Sequence, residues 1–214
     1  MVYKQVFHTN GPIRLTELCT TFKANLPRRE DHRQAGVLAF SGQLLRVNKA
    51  ITQEATEFLY TDQDFVFDEL RTFVYFLRRL TFQKRWLTHI TVERSHKNHL
   101  KECYTDLQEL PRLETFKMPF STSPKHTLIE HAKVHWDCLK ICLLAKGANR
   151  TEASMRLGKI SFLIAENQHN VRDDSGKVLR DLTPQHIRTC KDGIERLLDE
   201  YFECKQRVKQ VLRG

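Results

Sequence analysis

Leu87-Thr88-His89-Ile90-Thr91-Val92 alternates apolar and polar side chains and is crowded with β-branched residues, the signature of a half-buried strand. The same phasing recurs on either side of it. Upstream stands Asp64-Phe65-Val66-Phe67; downstream stand Leu113-Glu114-Thr115-Phe116-Lys117-Met118 and Leu157-Gly158-Lys159-Ile160-Ser161-Phe162. Three of these four stretches fit a Leu-x-x-φ-x-φ template, where φ is apolar, and the first keeps its last two apolar positions. The pairs Phe65/Phe67, Ile90/Val92 and Phe116/Met118 are about 25 residues apart, within the period of leucine-rich repeats.

Helical patterns fill the intervals. Leu70, Phe73, Val74, Leu77 and Leu80 recur at three and four, as do Leu100, Cys103, Tyr104, Leu107 and Leu110 before the stop at Pro111. Ser123-Pro124 reads as a cap followed by proline at the first helical position, opening a helix that runs to about Lys146 and ends at Gly147. A strand-helix unit cannot bury its own apolar face, so neighbours stack and share one core. Strand-helix-strand connections favour parallel pairing with right-handed crossovers. The expected fold is therefore α/β: a short, irregular, leucine-rich-repeat-like strand-helix array. The asparagine-ladder position falls at Leu70, Ser95, Ser121 and Ala165, none of them Asn, which makes the array irregular and keeps an ordinary α/β sandwich as the alternative.

The flanks complete the organisation. Val2, Tyr3, Val6 and Phe7 form an N-terminal helical face, and residues 8–43 read as loop-rich. Leu44, Leu45, Val47, Ile51, Ala55, Phe58 and Leu59 make an amphipathic helix. Asp173-Asp174-Ser175-Gly176 is a hairpin signal between Val171 and Val178. Thr183-Pro184 starts a long C-terminal helix with an apolar stripe from Ile187 to Leu212, expected to cap the sheet or to bind a partner. All 214 residues are expected in one domain: a helical segment and loop over 1–60, repeats over 61–166, and hairpin plus helix over 167–214.

Composition sets limits on function. The chain has 40% hydrophobic and 29% charged residues with only 8 Gly and 6 Pro, which excludes fibrous and low-complexity classes. Its net charge of +9 is spread as +3, +1 and +5 over residues 1–60, 61–120 and 121–214, without a block of like charges. No apolar run approaches a membrane span, and the first fifteen residues lack the apolar core of a signal peptide. The six scattered cysteines are then expected as reduced thiols, in cytoplasm or nucleus.

Leu44-Leu45-Arg46-Val47, Glu54-Ala55, Phe58-Leu59-Tyr60 and Phe65-Val66-Phe67, followed by Ile90-Thr91-Val92, resemble a fungal family with an F-box-like N-terminus. Val2-Tyr3 and Val6-Phe7 look like the end of that family's F-box helix, without its Leu-Pro opening and first turns, so the resemblance leads one to expect a truncated F-box. The resemblance covers about residues 1–120. It implies a protein-interaction module, in some relatives an adaptor docking a Skp1-type subunit of a ubiquitin ligase, which makes a Skp1-type subunit a candidate protein partner of this chain even though its opening turns are missing.

Motifs for chemistry are sparse. His131, His135, Cys138 and Cys142 share one helical face, but the first and last ligands lie about 16 Å apart along the axis, too far for one site. They fit a core-flanking face of hydrogen-bonded imidazoles and small buried thiols. Arg78-Arg79 and Lys84-Arg85 flank a helix end, where cations suit the macrodipole; a phosphate contact is the alternative. No P-loop, dinucleotide fingerprint, nucleophile elbow or Cys-x-x-Cys is present, and no catalytic residue, cofactor or metal is expected. The expected function is non-enzymatic protein binding. The strand side chains between the core positions would form the contact surface: Asp64, Val66, His89, Thr91, Thr115, Lys117, Lys159 and Ser161. The alternatives are a basic nucleic-acid-associated protein, and an accessory factor or enzyme of fungal small-molecule metabolism.

Overall fold

The structure is a computed structural model. It describes residues 12–15, 56–58, 60–61, 63–95, 97–120, 127–164, 171–173, 175, 177–179 and 183–212. The expected helix over residues 2–7 lies outside them, as does most of the helix over 44–59; residues 56–58 and 60 are helical.

The chain is α/β. Strands β1 (Ile13–Leu15), β2 (Asp64–Phe67), β3 (His89–Val92), β4 (Thr115–Pro119) and β5 (Ile160–Leu163) form one parallel sheet in sequence order. Helix α1 (Leu70–Arg79) lies between β2 and β3 in sequence, α2 (Leu100–Leu107) between β3 and β4, and α3 (Leu128–Leu143) and α4 (Arg150–Gly158) between β4 and β5. The short antiparallel hairpin of β6 (Val171–Arg172) and β7 (Val178–Leu179) follows, then α5 (Pro184–Val211). Two compact units divide these elements: residues 1–94 with 109–117, and residues 95–108 with 118–214.

In the first unit the register is fixed by aromatic and branched side chains. Ile13 pairs with Phe65, Phe65 with Ile90, and Ile90 with Phe116, so one row of apolar residues crosses four strands. Phe67 and Val92 form the next row, and both are fully buried. Helix α1 presses Leu70, Phe73, Val74 and Leu77 into this core. The ring of Phe73 meets Phe67 edge-on at 5.2 Å and Phe116 at 5.5 Å. The first amide of α1, at Leu70, donates to the Arg94 carbonyl, and Arg78 and Arg79 sit at the negative end of the helix.

In the second unit three helices begin with reciprocal caps. Thr127 pairs with Glu130, Asn149 with Glu152, and Thr183 with His186. Arg156 reaches the last carbonyls of α3, donating to Cys142, Leu143 and Ala145. Gly193 lets α5 approach α3, since a Cβ there would lie 3.1 Å from the Ala132 Cβ. That close approach offsets the roughly 1 kcal/mol that a mid-helix glycine costs. Arg150 at the start of α4 donates to Asp199 of α5.

Several sequence expectations are corrected. Ile13–Leu15 is a strand within the segment read as loop-rich; three residues carry too little pattern, and pairing with β2 makes the strand. Leu157 lies in α4, whose weak apolar periodicity hid it, so β5 starts at Ile160. Helix α3 is capped by Thr127 rather than Ser123 and gives way after Leu143 to a 3-10 turn ending at Gly147, whose φ of +70° suits glycine. The stripe of α5 is buried at Cys190, Ile194 and Leu198 but exposed at Val208, Val211 and Leu212.

Phe73→Ala removes a fully buried ring from the aromatic cluster of the first unit. It is expected to lower stability by about 3–5 kcal/mol, read from the urea midpoint. A loss below about 1 kcal/mol would show that the cluster is not close-packed.

Candidate functional site

Alternation along a strand sends successive side chains to opposite faces. With Phe65, Phe67, Ile90, Val92 and Phe116 buried, the intervening residues of the first unit share the other face. Register aligns them in two rows. The first is Asp64, His89 and Thr115; the second is Arg14, Val66, Thr91 and Lys117. Asp64, Arg14 and Lys117 are exposed, and His89, Thr91 and Thr115 are half-buried. Val66 departs from expectation: flanked by Arg14 and Thr91 on its neighbours, it is only 8% exposed and forms the floor of the face.

Hydrogen bonds and ion pairs link the strands across this face. His89 Nδ1 is 2.9 Å from Thr115 Oγ1, and its Nε2 is 3.7 Å from Glu114. Arg14 Nη1 donates to Glu93 Oε1 at 2.7 Å. Thr115, His89 and Glu114 are therefore in the order of a hydroxyl, a base and an orienting carboxylate. The backbone around them is committed elsewhere, because the amides of Glu114 and Thr115 both donate to the Thr88 carbonyl. Neither amide points at an acceptor above Thr115, so this trio orders the surface. Arg14, Glu93 and Glu114 were not singled out from sequence. Register brings Arg14 to this face, ion pairs join Glu93 to Arg14 and Glu114 to His89, and no local motif signals either.

The two remaining predicted contact residues belong to the second unit. Ser161 is exposed on β5 between buried Ile160 and Phe162. Lys159 is not on a strand: it is the half-buried C-cap of α4, since the helix extends farther than expected.

The His/Cys face of α3 lies in the core of the second unit. His131 and His135 are buried, and Phe120 contacts both imidazoles, stacked on His135 at 4.8 Å. Tyr104 Oη is 3.1 Å from His135 Nδ1. Burial holds the Cys103 thiol and the Tyr104 phenol well above their ordinary pKa values. Burial also pushes Cys142 up to about 11, against the opposing pull of Arg156. The five described cysteines are free thiols. Among the described residues no group of three His, Cys, Asp or Glu is arranged to hold a metal, and no helix is long and apolar enough to cross a membrane.

Comparison of the chain with protein-family models, curated proteins and solved structures found no match.

The thiols give a pH-dependent test. An acid whose pKa is raised by folding stabilises the fold below its unfolded pKa, and that stability is lost as pH rises through the folded value. For Cys142 the window runs from about 9 to about 11. At pH 8 its thiolate fraction is about 0.1%. Iodoacetamide at pH 8 is expected to label exposed Cys204 first, with Cys142 and Cys103 labelled only on unfolding. Equal rates at Cys204 and Cys142, read by peptide mass spectrometry, would contradict the buried placement.

Proposed function

We propose that this chain is a non-enzymatic protein-interaction module whose contact surface is the polar face of the sheet in its first unit. The observation that carries the reading is the register that lines up Asp64, His89 and Thr115, and beside them Arg14, Thr91 and Lys117, over a fully apolar opposite face. Charges of both signs and hydroxyls stand at strand spacing, about 4.8 Å between neighbours, which suits an extended, polar protein surface. Ser161 offers a similar exposed hydroxyl on its own unit.

The parallel, sequential strand order and the spacing of about 25 residues between the first phased pairs support reading the fold as a short leucine-rich-repeat-like array. The likeness of residues 44–67 to fungal F-box-like proteins supports an adaptor role. A Skp1-type subunit is then one partner to look for, through the N-terminal segment rather than the sheet. The free thiols suit a reducing compartment, cytoplasm or nucleus.

The test compares affinity purification of the native chain with Asp64→Lys and Lys117→Glu, at moderate salt after nuclease treatment. Both substitutions are at exposed positions and are expected to leave the melting temperature unchanged. Apposed like charges cost several kcal/mol, so recovery of a sheet-face partner should fall at least about tenfold. Partners recovered equally by all three proteins would rule out this face. A Skp1-type subunit recovered equally by all three would place adaptor docking elsewhere on the chain.

A further inference from the structure

Phe82–Trp86 is a 3-10 turn that follows the last turn of α1 in the first unit. Thr81 pins its start, donating from both its amide and its hydroxyl to Gln83 Oε1 at 3.0 and 3.1 Å. The guanidinium of Arg85 lies 5.8 Å from the Phe82 ring centroid and 5.2 Å from that of Trp86. The guanidinium of Arg112 lies 4.0 Å from the Trp86 ring. Planar cations and aromatic rings thus alternate, and the outermost ring, Phe82, is 42% exposed.

The charges around the turn are unbalanced. Lys84 is paired with Glu109, and Arg112 with Glu57. Arg79 and Arg85 are exposed, and among the described residues no carboxylate pairs with either. An arginine held against rings loses little freedom when it takes up an anion, and its fork matches two phosphate oxygens. An exposed ring beside it offers a platform on which a base of any sequence can stack. An acidic peptide would use the cations but leave the ring without a stacking partner. The need for both phosphate and a flat base favours a single strand over a duplex, whose bases are already stacked.

We propose that the Phe82–Trp86 turn, with Arg79, binds single-stranded nucleic acid: phosphates on Arg79 and Arg85, one base on Phe82. The site shares no residue with the sheet face, so it stands or falls independently of the protein-interaction reading.

The test is fluorescence anisotropy of the whole chain with a labelled twelve-nucleotide oligouridylate. Two phosphate contacts predict a log-log salt slope of about −1.4. Affinity should therefore fall about sevenfold between 50 and 200 mM salt. Phe82→Ala and Arg85→Ala should each weaken binding at least about fivefold. Arg85→Lys keeps the charge but not the planar stack, so it should also weaken binding, while Lys205→Glu on α5 should leave it within about twofold. These positions are exposed, and an unchanged melting temperature confirms that each variant is folded. The proposal is overturned by absence of binding at 50 mM salt up to about 100 µM protein. It is also overturned by Phe82→Ala and Arg85→Ala proteins that bind as tightly as the native chain, or by equal affinity for a duplex of the same length. Equal affinity for labelled polyglutamate would reassign the patch to an acidic protein partner.

Discussion

Parallel strands cannot be joined by a tight turn, and that constraint organises the chain from residue 64 to residue 163. Each return to the sheet needs a crossover of a dozen or more residues, here built from helices α1, α2, and α3 with α4. Within the first unit, α1 packs its apolar side chains against one face of the strands. One strand face is then obliged to be apolar and the other is left to polar side chains. The fully buried Phe67, Ile90, Val92, Phe116 and Met118, set against Asp64, His89, Thr115 and Lys117, are the local expression of that rule.

How far the sequence discloses this depends on how much pattern each element carries. Strands β2, β3 and β4 were legible because period-two alternation repeats at a nearly constant interval. Helix α1 was legible because Leu70, Phe73, Val74 and Leu77 recur at helical spacing. Helix α5 announced its start through Thr183-Pro184, and the capping pair with His186 forms there. Helix α4 buries only Ala153 and Leu157, so its apolar stripe is too thin to see. Strand β1 has three residues and exists only through its partner.

The candidate sites show the same division. The rows of the sheet face were readable in kind, because alternation alone assigns a residue to a face. Their membership was not. Arg14 joins by register and Glu93 and Glu114 by ion pairs, Val66 is sealed beneath its neighbours, and Lys159 falls on a helix cap. Arg85 and Arg112 are 27 positions apart, yet their guanidinium groups lie against the same Trp86 ring. Local reading saw only two cation pairs near a helix end. The opposite holds for His131, His135, Cys138 and Cys142, whose spacing invites a metal. The buried Cys142 thiol with its raised pKa, and imidazoles packed on Phe120, make that face part of a core.

Strand β1 also sets an order of assembly. Ile13 pairs with Phe65, 52 residues away, whereas β2 meets β3 and β3 meets β4 across about half that distance. A loop twice as long costs only about 0.6 kcal/mol more to close, so the equilibrium is little affected. Timing is affected more. At a synthesis rate of about 5–20 residues per second, β1 is made about 3–10 s before β2. Through that interval Ile13, Arg14 and Leu15 have no strand to pair with. The arginine at the centre of so short a segment guards it against wrong pairing, in the way charged residues protect a sheet edge. The side chain that later reaches Glu93 on the finished sheet thus serves first as a gatekeeper on the nascent chain.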